Sequence, residues 1–333
     1  MKTALVFPGQ GSQIVGMGRD LYQASSAARV IFEEADDTLG FALSELCFEG
    51  PEEKLTATEN AQPAILTVSI ALLVVLAMEA RTTGIVSGGS SFVAGHSLGK
   101  FSALVSAKAL DFASALKLVR RRGELMASAD QGTMAAVIGL SDEMLEQVCH
   151  EASTDEEPVV IANYNAPGQL VISGATASVE KAVDLARARG AKRVLPLKVN
   201  AAFHSPLMRE AASGLAEAAS TVSIKNAQVP VVSNVTATPL KYAPRIRREL
   251  AVQVTAPVRW IASVQHMVAS GVDTFVEVGP GRVLTGLIKR IAPEARLIHI
   301  SSLQDIRAFV QKRREEEAKL TDKQEEEVIP SDE

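Results

Sequence analysis

The sequence contains little cysteine: Cys47 and Cys149 are the only two among its 333 residues. Two cysteines are too few for a disulfide framework, and they lack the spacing with other ligands that is typical of a zinc site. We therefore expect two free thiols in a reducing, cytoplasmic environment, and no metal site.

The sequence also lacks an excess of positive charge and a long hydrophobic run. Its 34 Lys and Arg residues are outnumbered by 39 Asp and Glu residues, which argues against nucleic acid as a partner. The longest apolar stretch, Ala64 to Met78, is interrupted by Thr67 and Ser69. It falls short of the ~20 residues that cross a bilayer, so we predict a buried core helix and no membrane partner.

What the sequence does contain is the alternation of strands and helices typical of an α/β fold. Thr3–Phe7 is a short apolar run followed by turn residues, and a second short strand at 91–94 precedes two helical patterns. This alternation predicts a mostly parallel sheet that is covered by helices on both faces.

The pattern changes near residue 130. From there to about residue 199 the order is strand, helix, strand, strand, helix, strand, which is the ferredoxin-like βαββαβ pattern. We therefore predict a ferredoxin-like small domain at 129–198, inserted into a discontinuous core of residues 1–128 and 199–306. Residues 307–333 are highly charged and predict a disordered tail or a frayed helix.

The strongest chemical signal is Gly95-His96-Ser97-Leu98-Gly99. A serine between two glycines, on a turn from a strand into a helix, is typical of a nucleophile elbow, which presents its hydroxyl at the sheet edge. The N–H of Leu98 would then lie at a helix N-terminus, where it can donate to an oxyanion. At this point a plain tight turn remains the alternative.

A nucleophilic serine requires a base. His204 is the best candidate among five histidines, because it lies in a loop between the predicted small domain and the next helix, where it can reach over a cleft. The others are expected in a core strand (His299), on helices (His150 and His266), or with the ring pointing away from the nucleophile (His96).

Two further segments could take part in such a site. Gln10 lies in the loop after the first strand, at the same sheet edge as Ser97, and could help to form an oxyanion hole. A dinucleotide-binding loop is a weaker interpretation, because Ile14 stands where the third glycine belongs. The run Arg120-Arg121-Arg122 is typical of a solvated face, although one arginine could turn inward to bind a carboxylate.

Six motifs give the sequence a family resemblance. They are Phe7-Pro8-Gly9-Gln10-Gly11-Ser12-Gln13, Gly95-His96-Ser97-Leu98-Gly99, Arg122-Gly123, Asn163-Tyr164-Asn165-Ala166-Pro167-Gly168-Gln169, Ala202-Phe203-His204-Ser205-Pro206 and Glu277-Val278-Gly279-Pro280. The six motifs follow one another in this order. With them, from about residue 3 to about residue 305, the chain resembles the malonyl-CoA:acyl carrier protein transacylases of fatty acid synthesis and the related acyltransferase domains of polyketide synthases.

The resemblance implies a catalytic machinery. Ser97 would be the acyl-bearing nucleophile, and His204 would be its general base. The main-chain carbonyl of Gln253 would orient His204 in place of the acid of a Ser-His-Asp triad. Gln10 and the N–H of Leu98 would form the oxyanion hole. The fold implied is a hydrolase-like α/β core with a ferredoxin-like insert and the site between them.

The resemblance also implies how the substrate is held. Arg122 would bind the malonyl carboxylate, and His96 and Asn165 would contact the substrate. Phe203 would exclude a branch methyl by overpacking, since relatives that select methylmalonyl usually carry a serine there. One departure is Lys100, where the family commonly has Glu; a cation in the first turn of a helix is mildly unfavourable.

The activity implied is a ping-pong transfer of malonyl from malonyl-CoA to the phosphopantetheine thiol of an acyl carrier protein, without a metal or redox cofactor. We expect a monomer, and the basic residues Arg245, Arg247, Arg248, Lys289 and Arg290 are candidates for docking an acidic carrier. Three alternatives remain: a discrete acyltransferase of a polyketide synthase, a catalytically silent subunit, and a serine thioesterase or hydrolase. The last requires a triad acid, for which Asp111 is the only early candidate.

Overall fold

A computed structural model describes residues 2–79, 89–129, 131–197, 199 and 201–328. Its larger sheet has six strands. In spatial order they are β10 (Arg296–Ile300), β9 (Thr274–Val278), β1 (Thr3–Phe7), β2 (Ser90–Gly95), β7 (Val231–Val232) and β8 (Pro239–Leu240). All neighbouring pairs are parallel except β7 with β8. The prediction of a mixed α/β fold with a mostly parallel sheet is therefore confirmed.

Helices cover this sheet on both faces, as the two separate apolar clusters on either side of it indicate. They are α1 (Arg19–Ala24), α2 (Ser26–Leu39), α3 (Leu43–Glu49), α4 (Glu52–Thr56), α5 (Thr58–Glu79), α6 (Gly99–Ser106), α7 (Phe112–Ser128), α10 (Arg209–Ser220), α11 (Ala243–Val252), α12 (Trp260–Ala269), α13 (Val283–Ile291) and α14 (Leu303–Val328). A short 3₁₀ helix at Pro206–Met208 leads into α10.

Helix α5 is long and apolar enough to span a membrane by length and composition alone. In the fold it packs against α2 and α7, and 83% of its most apolar window is buried. An all-round apolar helix is expected at the centre of a large core. The buried core helix predicted from Ala64 to Met78 is present.

A second sheet is antiparallel and has four strands. In spatial order they are β4 (Val159–Ala166), β5 (Gln169–Gly174), β3 (Thr133–Ile138) and β6 (Arg193–Pro196), and helices α8 (Asp142–Ala152) and α9 (Thr176–Ala188) pack on one face. Side chains alternate between the faces of this sheet. Ala135 and Val137 pack under the helices, whereas Met134 lies in a separate cluster beside Phe203. The face of the small sheet opposite α8 and α9 therefore looks toward the chain that returns to the large sheet.

One expectation about the C-terminal part is wrong, and the boundary between core and tail lies later than predicted. His299 lies on the edge strand β10 with 33% of its side chain exposed, so it is not a core residue. Helix α14 also continues through the predicted end of the core at residue 306. Ile306, Phe309 and Val310 are buried at helical spacing, and Arg296 pairs with Glu316 at 2.9 Å. At least the first turns of the predicted tail therefore belong to the packed helix.

Candidate active site

Ser97 lies two residues after the end of β2 and two residues before the start of α6. Its φ of 51° is in the left-handed region, which a non-glycine residue adopts only where the surrounding structure enforces it. Two glycines permit the sharp turn: a Cβ on Gly95 would lie 1.9 Å from the carbonyl carbon of Gly99, and a Cβ on Gly99 would lie 2.1 Å from the carbonyl oxygen of Phe7. The segment is therefore a strained elbow and not a plain tight turn.

His204 approaches this elbow from the segment that leaves the small sheet. It is buried, its φ is 60°, and its Nε2 atom lies 2.8 Å from Oγ of Ser97. Its Nδ1 atom lies 2.9 Å from the carbonyl oxygen of Gln253 and 3.1 Å from that of Ala256. Because carbonyl oxygens only accept, Nδ1 carries the proton and Nε2 is left to accept the proton of Ser97.

The protonation state of His204 follows from its surroundings. Burial and the positive charge of Arg122 lower the pKa of His204 to about 3, although the hydrogen bonds to Gln253 and Ala256 oppose this shift. An imidazole with this pKa is neutral at physiological pH. It can therefore act as a general base toward Ser97.

Arg122 is the arginine of its run that turns inward. It projects from α7 and is 2% exposed; Nη1 donates to Oε1 of Gln62 over 2.7 Å and Nη2 donates to Oγ of Ser97 over 2.9 Å. Its Nε has no acceptor among the described residues. Burial lowers the pKa of Arg122 to about 10, so it stays charged at neutral pH and can still donate to a carboxylate. Arg120 and Arg121 instead pair with Glu124.

A cavity of about 520 Å³ lies over these three side chains, between the large sheet and the face of the small sheet opposite α8 and α9. Its lining includes Gln10, Met126, Met134 and Phe203. A cavity of this size is typical of small-molecule sites. It presents the nucleophile, the base and the guanidinium to one space.

The predicted oxyanion-hole donors lie at the same sheet edge. Gln10 lines the cavity, and its Nε2 donates to Oγ1 of Thr58 over 2.6 Å. Leu98 is buried and is the N-cap of α6, where N–H groups lack acceptors within the helix. Both remain predicted donors.

His96 and Asn165 contact each other, with Nε2 and Oδ1 2.8 Å apart. The ring of His96 stands edge-on to the ring of Trp260. Burial lowers the pKa of His96. His96 lines the cavity, as does Asn163, the first residue of the motif that contains Asn165. The pair links the nucleophile elbow to the small sheet, and its contact with substrate remains a prediction.

Comparison with known proteins shows the family. The sequence profile described as acyl transferase domain matches residues 4–316. The chain belongs to the acyl transferase domain family. A malonyl CoA-acyl carrier protein transacylase of Bacillus subtilis (strain 168) is 46% identical to this acyltransferase over 318 residues, which are 95% of this chain and 98% of the relative.

Solved structures agree with this assignment. An acyl-carrier-protein-S-malonyltransferase from Bartonella henselae matches this acyltransferase with a TM-score of 0.90 and 41% identity, over 94% of this chain and 99% of that one. A malonyl-transacylase solved in complex with its type II PKS acyl carrier protein matches with a TM-score of 0.88 and 40% identity, over 94% and 100% of the two chains.

The acyltransferase site also contains a buried polar residue, Asn234, that the sequence analysis did not single out. Asn234 is fully buried; its Oδ1 accepts from the N–H of Ser97 at 2.9 Å, and its Nδ2 donates to the carbonyl of Gly95 at 2.8 Å. The side chain of Gln253 donates to Oδ1 of Asn234 and to the carbonyl of Ser97. Asn234 follows β7 at the carboxyl end of a parallel strand, and a polar residue there was a usable signal.

Proposed function

We propose that this acyltransferase moves a malonyl group from malonyl-CoA to the phosphopantetheine thiol of an acyl carrier protein through a malonyl ester on Ser97. The observation that carries the proposal is the contact of Ser97 Oγ with both His204 Nε2 at 2.8 Å and Arg122 Nη2 at 2.9 Å. The relatives named for malonyl transfer support the same donor and acceptor.

In the first half-reaction, Nε2 of His204 takes the proton of Ser97 as Oγ attacks the thioester carbonyl. The developing oxyanion is held by the N–H of Leu98 and by Gln10, each worth about 3–4 kcal/mol in comparable sites. The intermediate then collapses: the carbon–sulfur bond breaks, His204 gives its proton to the coenzyme A thiolate, and malonyl remains on Ser97.

The second half-reaction runs the same steps with the carrier as nucleophile. His204 takes the proton of the carrier thiol, the thiolate attacks the malonyl ester, and the ester oxygen leaves as Oγ of Ser97 with the proton returned by His204. A carboxylate held by Arg122 keeps the acyl group in one orientation in both halves.

A hydrolase with a Ser-His-acid triad is not favoured. The partners of His204 Nδ1 are two main-chain carbonyls, and Asp111 instead caps helix α7 by accepting from the N–H of Ser114 at 2.8 Å. A catalytically silent subunit is not favoured either, because Oγ of Ser97 lies within hydrogen-bonding distance of both His204 and Arg122.

Several finer points belong to this proposal. A ferredoxin-like identity of the insert at 129–198 is supported by its element order and its antiparallel strand order, and a hydrolase-like core by the elbow at the carboxyl end of β2. We further propose a monomer in the cytoplasm that serves fatty acid synthesis and needs no cofactor. Buried, reduced Cys47 and Cys149 are compatible with that compartment.

The proposed carrier-docking residues differ in their availability. Arg247 donates to the carbonyls of Ala219 and Val222 at the end of α10, and Arg290 donates to Gln169 and the carbonyl of Pro167. Arg245 and Arg248 are exposed on α11. Lys289 likewise donates to the carbonyl of Pro293. We therefore narrow the docking proposal to Arg245 and Arg248. Reversing the charge of Arg245 and Arg248 should lower kcat/KM for the carrier. It should also weaken the dependence of kcat/KM on salt concentration. If both quantities stayed unchanged, these two residues would not dock the carrier.

The experiment that tests the function mixes the protein with malonyl-CoA and follows the intact mass. A malonyl adduct that maps to Ser97 and disappears on addition of a phosphopantetheinylated carrier is expected, with the unmodified carrier as control. Release of free malonate without carrier would instead identify a hydrolase. Comparing one fatty acid carrier with one polyketide carrier decides the pathway.

A further inference from the structure

Lys100 and Glu249 form an ion pair in the interior, and the mechanism above does not use it. Lys100 lies in the first turn of α6 and is 1% exposed, while Glu249 lies on α11 and is 7% exposed. Nζ of Lys100 donates to Oε1 of Glu249. An ion pair this buried is seldom a net source of stability, since desolvation of both charges offsets their attraction. Its presence calls for another explanation.

The carboxylate of Glu249 joins three segments at one atom. Besides Lys100, its Oε1 accepts from Oγ of Ser233 at 2.7 Å and from the N–H of Val235 at 3.3 Å. Ser233 and Val235 flank Asn234, whose Oδ1 accepts from the N–H of Ser97. Glu249 therefore fixes the loop that holds the nucleophile in its strained conformation.

The same residue holds the segment that orients the base. The main-chain carbonyl of Glu249 accepts from the N–H of Gln253 at 2.9 Å. The carbonyl of Gln253 in turn accepts from Nδ1 of His204. Lys100, only three residues after Ser97, is thus connected to the acceptor of His204 through Glu249 and one turn of α11.

We propose that Lys100 and Glu249 are a positioning pair, which ties the helix of the nucleophile to the helix that presents the acceptor of the general base. This inference rests on the proposed function of Ser97 and His204. The pair touches neither substrate nor reacting atoms. It fixes the relative position of Ser97 and His204, whereas the hydrogen bonds of Arg122 go to Gln62 and Ser97 and not to the pair.

The test is the double variant Lys100→Met/Glu249→Gln. It removes both charges together, which avoids leaving one unpaired in the interior, and the Gln oxygen still accepts from Ser233 and Val235. The matched control is Arg187→Met/Asp184→Asn, the same change in an exposed pair on α9 at 3.3 Å. Rapid mixing with malonyl-CoA measures the amplitude and the first-order rate constant of Ser97 acylation.

We expect the rate constant of the double variant to fall by about 10- to 100-fold, the size of effect that a small misplacement of reacting groups produces. The malonyl-CoA concentration for half-maximal rate should stay unchanged, and the control should match the wild type. The rate constant is independent of the folded fraction, which affects only the amplitude.

Three results would overturn the proposal. They are a wild-type rate constant in the double variant, a loss of amplitude alone, and a slower rate accompanied by a large rise in the half-saturating concentration. The first two would mean that the pair only packs or stabilises the core, and the third that the whole donor pocket is distorted. If the wild type itself formed no adduct at Ser97, the proposed function would fail as well.

Discussion

Nη2 of Arg122 lies 2.9 Å from Oγ of Ser97, so the guanidinium and the nucleophilic hydroxyl share one end of the cavity. A malonyl thioester has one methylene between its carboxylate and its reacting carbonyl. A side chain that binds the carboxylate must therefore lie close to the nucleophile. The adjacency of these two residues matches a short dicarboxylic acyl group better than a long fatty acyl chain.

Replacing Arg122 by Met should reduce transfer from malonyl-CoA much more than transfer from acetyl-CoA. Loss of hydrogen bonds to a charged group costs about 1.5–3 kcal/mol, which corresponds to about a 10- to 150-fold loss of kcat/KM for the malonyl donor. Steady-state kinetics with both donors measures the difference. Arg121→Met is the matched control. Arg121 is 52% exposed, so its replacement should leave kcat/KM for both donors unchanged. Equal losses for both donors would show that Arg122 does not bind the carboxylate.

Replacing Ser97 by Ala should abolish the malonyl adduct while the fold is retained. The hydroxyl of Ser97 is the proposed acyl acceptor, and among the described residues its Oγ is the side-chain oxygen within hydrogen-bonding distance of His204 Nε2. Intact-mass analysis after incubation with malonyl-CoA checks this, with circular dichroism as the control for folding. An adduct that persists on another residue would remove Ser97 as the nucleophile.

The elbow and the general base could be predicted because their signals are local. Gly95 and Gly99 around Ser97 require only a strand before and a helix after, and His204 stands in a loop between two recognisable patterns. Asn234 and Glu249 could not be predicted in the same way. They reach Ser97 and Lys100 across separations of 137 and 149 residues, which only the packed sheet and helices bring together.

Helix α11 and the packed start of the C-terminal helix could not be predicted from the local sequence pattern. Helix α11 carries Pro244 and three arginines, and only Ile246 and Leu250 provide an apolar period, so the pattern was too weak to predict a helix. At the C-terminus the charged run outweighed Phe309 and Val310, although their spacing from Ile306 continues a helical apolar face. In both cases tertiary burial of a few residues decided the local structure.

Acidification should destabilise the wild type more than a variant that lacks the His204 imidazole. The pKa of His204 in the folded protein, about 3, lies below its ordinary value of about 6.5. Below pH 6.5 the imidazole is therefore protonated in the unfolded state but stays neutral in the folded state. Stability is therefore lost as the pH falls from about 6.5 toward 3. Between pH 7 and pH 5 this group alone should cost about 2 kcal/mol.

Urea unfolding at both pH values measures that loss in the wild type and in His204→Asn. Other groups, including buried His96, are present in both proteins and cancel in the comparison. The variant should lose about 2 kcal/mol less than the wild type. Equal losses would mean that His204 titrates normally in the folded protein, and that it is partly protonated when it should act as a base.

Replacing Phe203 by Ser should widen the donor range toward methylmalonyl-CoA. Phe203 is half-buried, lines the cavity next to His204, and packs beside Met134, so its ring fills space next to the acyl group. Forcing an extra methyl into a filled space costs about 1–3 kcal/mol, and removing the ring relieves that cost. The ratio of kcat/KM for methylmalonyl-CoA to that for malonyl-CoA should therefore rise by about tenfold or more.

Met126→Leu is the matched control, because it changes another lining side chain at nearly constant volume. A ratio that stays at the wild-type value in Phe203→Ser, while malonyl transfer remains active, would show that selection against the branch methyl is made elsewhere in the cavity.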